Sequence, residues 1–108
     1  LNLLNKLKNK NKKIYGVGAP SRAATLINYT GINHNLLDCI CEITGSHKIG
    51  KFMPGTNIPI VNEKIIFKKQ PDYLLILSWH IFDDLKKILK KKGYRGRFIK
   101  PLPFPKII

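Results

Sequence analysis

The chain is short of acid. Six Asp and Glu stand against 20 Lys and Arg, for a formal net charge of +14 over 108 residues. Only two cysteines are present, which gives no disulfide framework and makes a reducing, cytoplasmic compartment the default expectation. No apolar run approaches the roughly 18–20 residues needed to cross a bilayer, and no secretory signal pattern is visible. Several catalytic signatures are missing as well. No Gly-Lys-Ser/Thr follows the glycines as a P-loop requires, no Gly-x-Ser-x-Gly turn presents a nucleophile, and no paired carboxylate suits hydrolysis. From the residues alone, no catalytic set emerges.

What is there fits a small soluble domain: 44% hydrophobic and 24% charged residues, enough for one modest core. The chain starts at Leu1 rather than methionine, so a piece of something longer is expected. The excess of positive charge suggests nucleic acid, anionic lipid or another polyanion. Yet the lysines fall in three separate stretches, "KLKNKNKK", "KKQ" and "KKILKKK", and generic solubilisation is the preferred reading. Cys39 and Cys41, in "DCICEI", would share one face of a strand. With His34 and His47 nearby a metal site can be imagined. However, Cys-x-Cys without a second pair is not a standard zinc arrangement, and buried structural cysteines are expected.

Residues 1–13, "LNLLNKLKNKNKK", begin with helical spacing at Leu3, Leu4 and Leu7 and then dissolve into Asn and Lys; they read as a linker or the end of a preceding helix. The domain proper is expected over 14–108. "KIYGVGA" is the first strand. In the helix that follows it, Pro20 suits the first position and Gly31 the stop. "LLDCICEI" is a second, buried strand, and "IPIV" a brief third. Between them, "TGSHKIGKFMPGTN" is too rich in Gly, Pro and polar residues for regular structure. "NEKIIFKKQ" stays open: Asn62 would cap a short helix, but Ile65-Ile66-Phe67 also suits a strand. "PDYLLILSW" is the clearest strand. "HIFDDLKKILKKKGY" is the clearest helix, with Asp83 and Asp84 in its first turn, lysines in its last, and Gly93 to end it. "RFIKPLPFP" is a final strand broken by prolines.

Strands alternating with helices predict an α/β fold: a small Rossmann-like domain, its sheet mostly parallel, with helices on both faces. Ligands of such sheets bind beyond the carboxyl ends of the strands, where three segments are expected to meet. The first is Gly18, Ala19, Pro20, Ser21 and Arg22, in "GVGAPSR". Gly16 and Gly18 match only the first two glycines of a dinucleotide fingerprint, and Ser21 stands where the third is expected. No acid stands at a clean end of strand two, since Asp38 precedes it and Glu42 lies near its end. A tight strand-to-helix turn would need the same glycines. Arg22 tips the balance, since a guanidinium beside free amides at a positive helix end suits a phosphate. The second segment ends in the "PGTN" turn, Pro54, Gly55, Thr56 and Asn57, whose Thr and Asn offer hydrogen bonds. The third is Trp79-His80. The Trp is as well suited to the core as to stacking on a sugar or base, and the His to a cap region as to a ligand.

The order of "GAPSRAATLINYTGI", "GSHKIGKFMPGTNIPIV", "PDYLLILSWHI" and "GYRGRFIKPLPFP" resembles the C-terminal domain of S-adenosylmethionine-dependent sugar C-methyltransferases, over nearly the whole chain from Ile14 to Ile108. The resemblance implies a three-part enzyme in which a zinc-binding segment and a central methyltransferase domain precede this one. It implies a nucleoside-diphosphate keto-deoxysugar as substrate, deprotonated beside its keto group so that the carbanion attacks the methyl of S-adenosylmethionine. Cofactor site and catalytic base would belong to the central domain, and this Rossmann-like part would close over the sugar nucleotide without turning it over alone. Two departures stand out. The family's frequent Lys, Gly and Asn are replaced by Arg22, Ala23 and Ala24, and the Asn that commonly follows the tryptophan is His80. Two other classes compete: a basic nucleic-acid-binding module, and a purely architectural domain. Against the former, aromatics are not interleaved with the basic residues as single-strand platforms require.

Overall fold

A computed structural model of the chain describes residues 2–18, 32–42, 46–53, 55–100 and 106–108. Elements in chain order are α1 (Asn2–Asn9), β1 (Ile14–Val17), β2 (Ile40–Glu42), β3 (Ile60–Asn62), α2 (Lys64–Lys69), β4 (Tyr73–Ile76), α3 (Phe82–Lys91), β5 (Arg97–Lys100) and β6 (Lys106–Ile107), with a 3-10 turn at Trp79–Ile81 leading into α3. The helix expected from Pro20 to Gly31 lies outside the described residues.

The strands form one sheet in the order β3-β2-β1-β4-β5-β6. The first five run parallel and β6 is antiparallel to β5. The expected mostly parallel sheet is therefore present, and its hydrophobic patterning explains it. All four residues of β1 are buried, as a strand covered on both faces requires. Alternation sends Ile14 to one core, with Ile40, Ile60, Leu75, Leu77, Ile99 and the α1 leucines Leu4 and Leu7. It sends Tyr15 and Val17 to the other, with Leu74, Ile76, Phe98, Ile66 of α2, and Phe82 and Leu89 of α3. Helices thus cover both faces. Each fully buried large side chain contributes about 1.5–3 kcal/mol.

Local chemistry resolves the open readings. Asn62 Oδ1 accepts from the Lys64 N–H at 3.0 Å, so "NEKIIFKKQ" starts a helix after an Asx turn, and Ile66 is buried beneath it. The second strand is shorter than expected. Asn33 O accepts from both Leu36 and Leu37 N–H groups at 3.0 Å, and the resulting turn uses up the "LLD" of "LLDCICEI". The strand β6, unforeseen in the sequence, returns beside β5. Gly93 closes α3 at φ +113°, where a side chain would be strained.

Candidate functional site

Strand order reverses between β1 and β4: the chain builds outward through β2 and β3, then crosses back to the other side of β1. Such a switch point opens a crevice at the carboxyl ends. Here the two strand ends are pressed together. Val17 O accepts from the Leu77 N–H at 2.9 Å, and Cys41 O accepts from the Gly18 N–H at 2.9 Å. Gly18 has φ +87°, and a Cβ on it would run into Ser78 Oγ. Only glycine fits both the backbone angle and the contact.

After Ser78 the chain tightens into the 3-10 turn, where the Ile81 N–H donates to Ser78 O at 3.1 Å. This turn sets the half-buried Trp79 and the exposed His80 at the mouth of a pocket of about 310 Å³. Asp83 and Asp84, from the first turn of α3, and Lys100, from the end of β5, complete its polar lining. The Lys100 ammonium lies 5.4 Å from the centre of the Phe82 ring, a cation–π contact that holds the charge against the wall.

Of the site residues expected from sequence, Gly18, Trp79 and His80 stand at this end of the sheet. Ala19, Pro20, Ser21, Arg22 and Pro54 lie outside the described residues. The meeting of all three segments requires a correction. Phe52 pairs antiparallel with Pro59, and the Met53 N–H donates to Ile58 O at 2.9 Å. The turn carrying Gly55, Thr56 and Asn57 therefore projects before β3, toward the amino ends of the strands and away from Gly18. Thr56 Oγ1 donates to Met53 O at 2.8 Å and accepts from the Ile58 N–H at 3.1 Å. Its hydroxyl is committed to the turn itself.

Three residues go beyond the sequence reading. Ser78 and Lys100 enter only through packing. Glu42 was visible as an acid near the end of strand two. The register makes it the last residue of β2, next to Gly18 and in the place where such folds hold an acid for nucleoside hydroxyls. Cys39 and Cys41 behave as alternation predicts: their Sγ atoms lie 4.0 Å apart within the α2–α3 core. Hydrogen bonding to Cys39, and then burial, push the Cys41 thiol up.

The parallel order, the switch point and the glycine-tightened strand end define a small Rossmann-like α/β domain. More narrowly, the chain belongs to the C-methyltransferase C-terminal domain family, whose profile matches residues 1–103. It is 36% identical over 101 residues to the C-methyltransferase NovU of Streptomyces niveus, a match covering 90% of this chain and 23% of that protein. The chain thus spans under a quarter of that relative's length.

Proposed function

We propose that this chain is the substrate-binding and closing part of an S-adenosylmethionine-dependent C-methyltransferase that acts on a nucleoside-diphosphate keto-deoxysugar. The observation that carries the reading is the Gly18–Ser78 contact at the switch point, where the absence of a side chain on Gly18 lets the carboxyl ends of β1 and β4 close on each other. In this reading the pyrophosphate approaches Gly18, Glu42 accepts from hydroxyls of the pentose, and the sugar extends toward Trp79, His80 and the Lys100 pocket. A carboxylate near a pyrophosphate is tolerable only with cations at hand. Lys100 is one, and Arg22, outside the described residues, is the expected second.

Both S-adenosylmethionine and a nucleotide-linked substrate carry a pentose that Glu42 suits. The diphosphate sets the second apart, and Lys100 favours it. When bound, the cofactor supplies an electrophilic methyl group; an upstream domain of the same chain would hold it, together with the catalytic base. Residues of this part bind, orient and cover. Alone it turns over nothing. The setting is cytoplasmic, in keeping with two free thiols; among the described residues no helix is long and apolar enough to cross a membrane.

The test is an amide chemical-shift titration of the 108-residue chain with deoxythymidine-diphosphate glucose up to millimolar concentration. Shifts at Gly18, Glu42, Ser78–His80 and Lys100, with Gly55–Asn57 unmoved, are expected. A chain with no shifted amide at that concentration would leave an architectural role.

A further inference from the structure

The lysines that look scattered in sequence are gathered by topology. In a parallel sheet every crossover helix brings the chain back to the amino ends of the strands, and here α2 and α3 both return with lysines in their last turns, Lys68–Lys69 and Lys90–Lys91. The two helix ends are tied together. Gln70 Nε2 donates to Gly93 O at 3.1 Å, and Gln70 Oε1 accepts from the Arg95 N–H at 3.0 Å. Beside them, the Lys13 N–H donates to Asp72 Oδ2 at 2.8 Å, and the Arg97 N–H to Asp72 O at 3.2 Å. All seven of these basic side chains are exposed.

The acids are placed the other way. Of the six in the chain, Glu42 at the end of β2 and Asp83 and Asp84 after β4 belong to the carboxyl end of the sheet, while Glu63, after β3, is taken up by Lys92 at 2.8 Å. Only Asp38 and Asp72 stand at the amino end. The first pairs with Lys8 at 3.5 Å, and the second receives Lys13's amide. Complementing the helix dipoles accounts for the lysines that end α2 and α3. It does not account for Lys13, Arg95 or Arg97, which lie outside any helix. Nor can this charge serve a ligand at Gly18, at the far end of the same strands.

We propose that the amino end of the sheet is a second binding surface, taking the phosphodiester backbone of double-stranded nucleic acid without regard to sequence. A duplex fits better than a single strand because the one exposed aromatic ring toward this end among the described residues, Phe52, stands at the β3 flank, three strands from β4 and four from β5, and a lone ring there makes no stacking platform beside these lysines. It fits better than a bilayer because surface anchoring needs a continuous apolar element beside the charge, and the large exposed apolar residues toward this end among those described, Phe52 and Ile108, stand on opposite flanks of the sheet. The domain measures 31 × 29 × 25 Å, so this face can lie along roughly eight base pairs at ~3.4 Å each. This surface is independent of the sugar-nucleotide reading.

The test is fluorescence anisotropy of the 108-residue chain with a labelled 16-base-pair duplex between 50 and 200 mM KCl. Contacts to about five phosphates predict a slope of log K against log[salt] near −4.5. Two charge-matched double variants, all at exposed lysines, locate the surface. Lys68→Gln/Lys90→Gln should lower the slope by about 1.8 and the affinity at least tenfold at 100 mM salt, whereas Lys64→Gln/Lys87→Gln, at the start of α2 and within α3, should change affinity less than twofold. Equal losses in the two variants would reduce the effect to net charge and overturn the proposal. So would a chain that ignores the duplex at 50 mM salt, or one that binds phosphatidylglycerol vesicles more tightly than the duplex.

Discussion

Gly18 and Ser78 lie so close that a single methyl group on the glycine would take the place of the serine hydroxyl. The contact joins the carboxyl end of β1 to the residue that opens the Trp79 turn, so the shape of the candidate site depends on a missing side chain.

Gly18→Ala should therefore cost about 1–3 kcal/mol, combining the left-handed backbone penalty with displacement of Ser78. Adding Ser78→Ala should return part of that loss but not all, because φ stays positive. Urea midpoints of the single and double variants measure both components. A Gly18→Ala chain as stable as the parent would show that the turn relaxes freely.

Glu42→Gln keeps the shape of the side chain and removes its charge. We expect roughly tenfold weaker binding of a nucleoside-diphosphate sugar, on the order of one charge-assisted hydrogen bond, with little change in melting temperature. Isothermal titration of parent and variant decides it. Unchanged affinity would remove Glu42 from the site.

Tyr94 links alkaline pH to stability. Its single O–H is shared between two carbonyls, Pro71 O at 3.0 Å and Arg97 O at 3.1 Å. Burial, and then the charge of Asp72, raise its pKa above the ordinary 10.0. A raised pKa means that the folded state holds the proton more tightly. The stabilisation is complete below pH 10 and is lost as the pH rises above it. Tyr15, also raised by burial, acts in the same sense. Tyr94→Phe should lose about 1 kcal/mol at pH 7 and show a flatter decline between pH 9.5 and 11 in urea titrations.

The thiol pair should be inert while the chain is folded. Both cysteines are buried and the Cys41 thiol is pushed up, which keeps the thiolate scarce. With Ellman's reagent at pH 8, two thiols should react at once in urea and neither within minutes in buffer. Rapid native reaction would mean that β2 opens readily.

The sequence carried the strand β4 and the helix α3 openly, because an apolar run of strand length and a sustained 3.6 period each admit one structure. Six residues of α2 did not. Ile65-Ile66-Phe67 serves either geometry, and the Asn62 side chain decided it. The "PGTN" turn was recognisable as a turn, but its position was not, since only the antiparallel pairing of Phe52 with Pro59 reveals which end of β3 it leaves from. Ser78, Lys100 and the gathering of Lys68 with Lys90 depend on which strands become neighbours. That information is spread over the whole chain and belongs to no single motif.

The antiparallel pair β5–β6 has an effect that reaches past this molecule. Ile107 faces Ile99 in register, and the Ile108 N–H donates to Phe98 O at 2.8 Å. At the opposite flank, Gly50 and Lys51 hydrogen-bond to Ile60 alongside β3. Each outer strand of the parallel sheet thus has its row of amides and carbonyls already engaged by a short, oppositely directed segment. A neighbouring copy is offered only the short outer edges of these two segments, poor templates on which to add a strand, so crowding alone should not convert this domain into stacked ribbons.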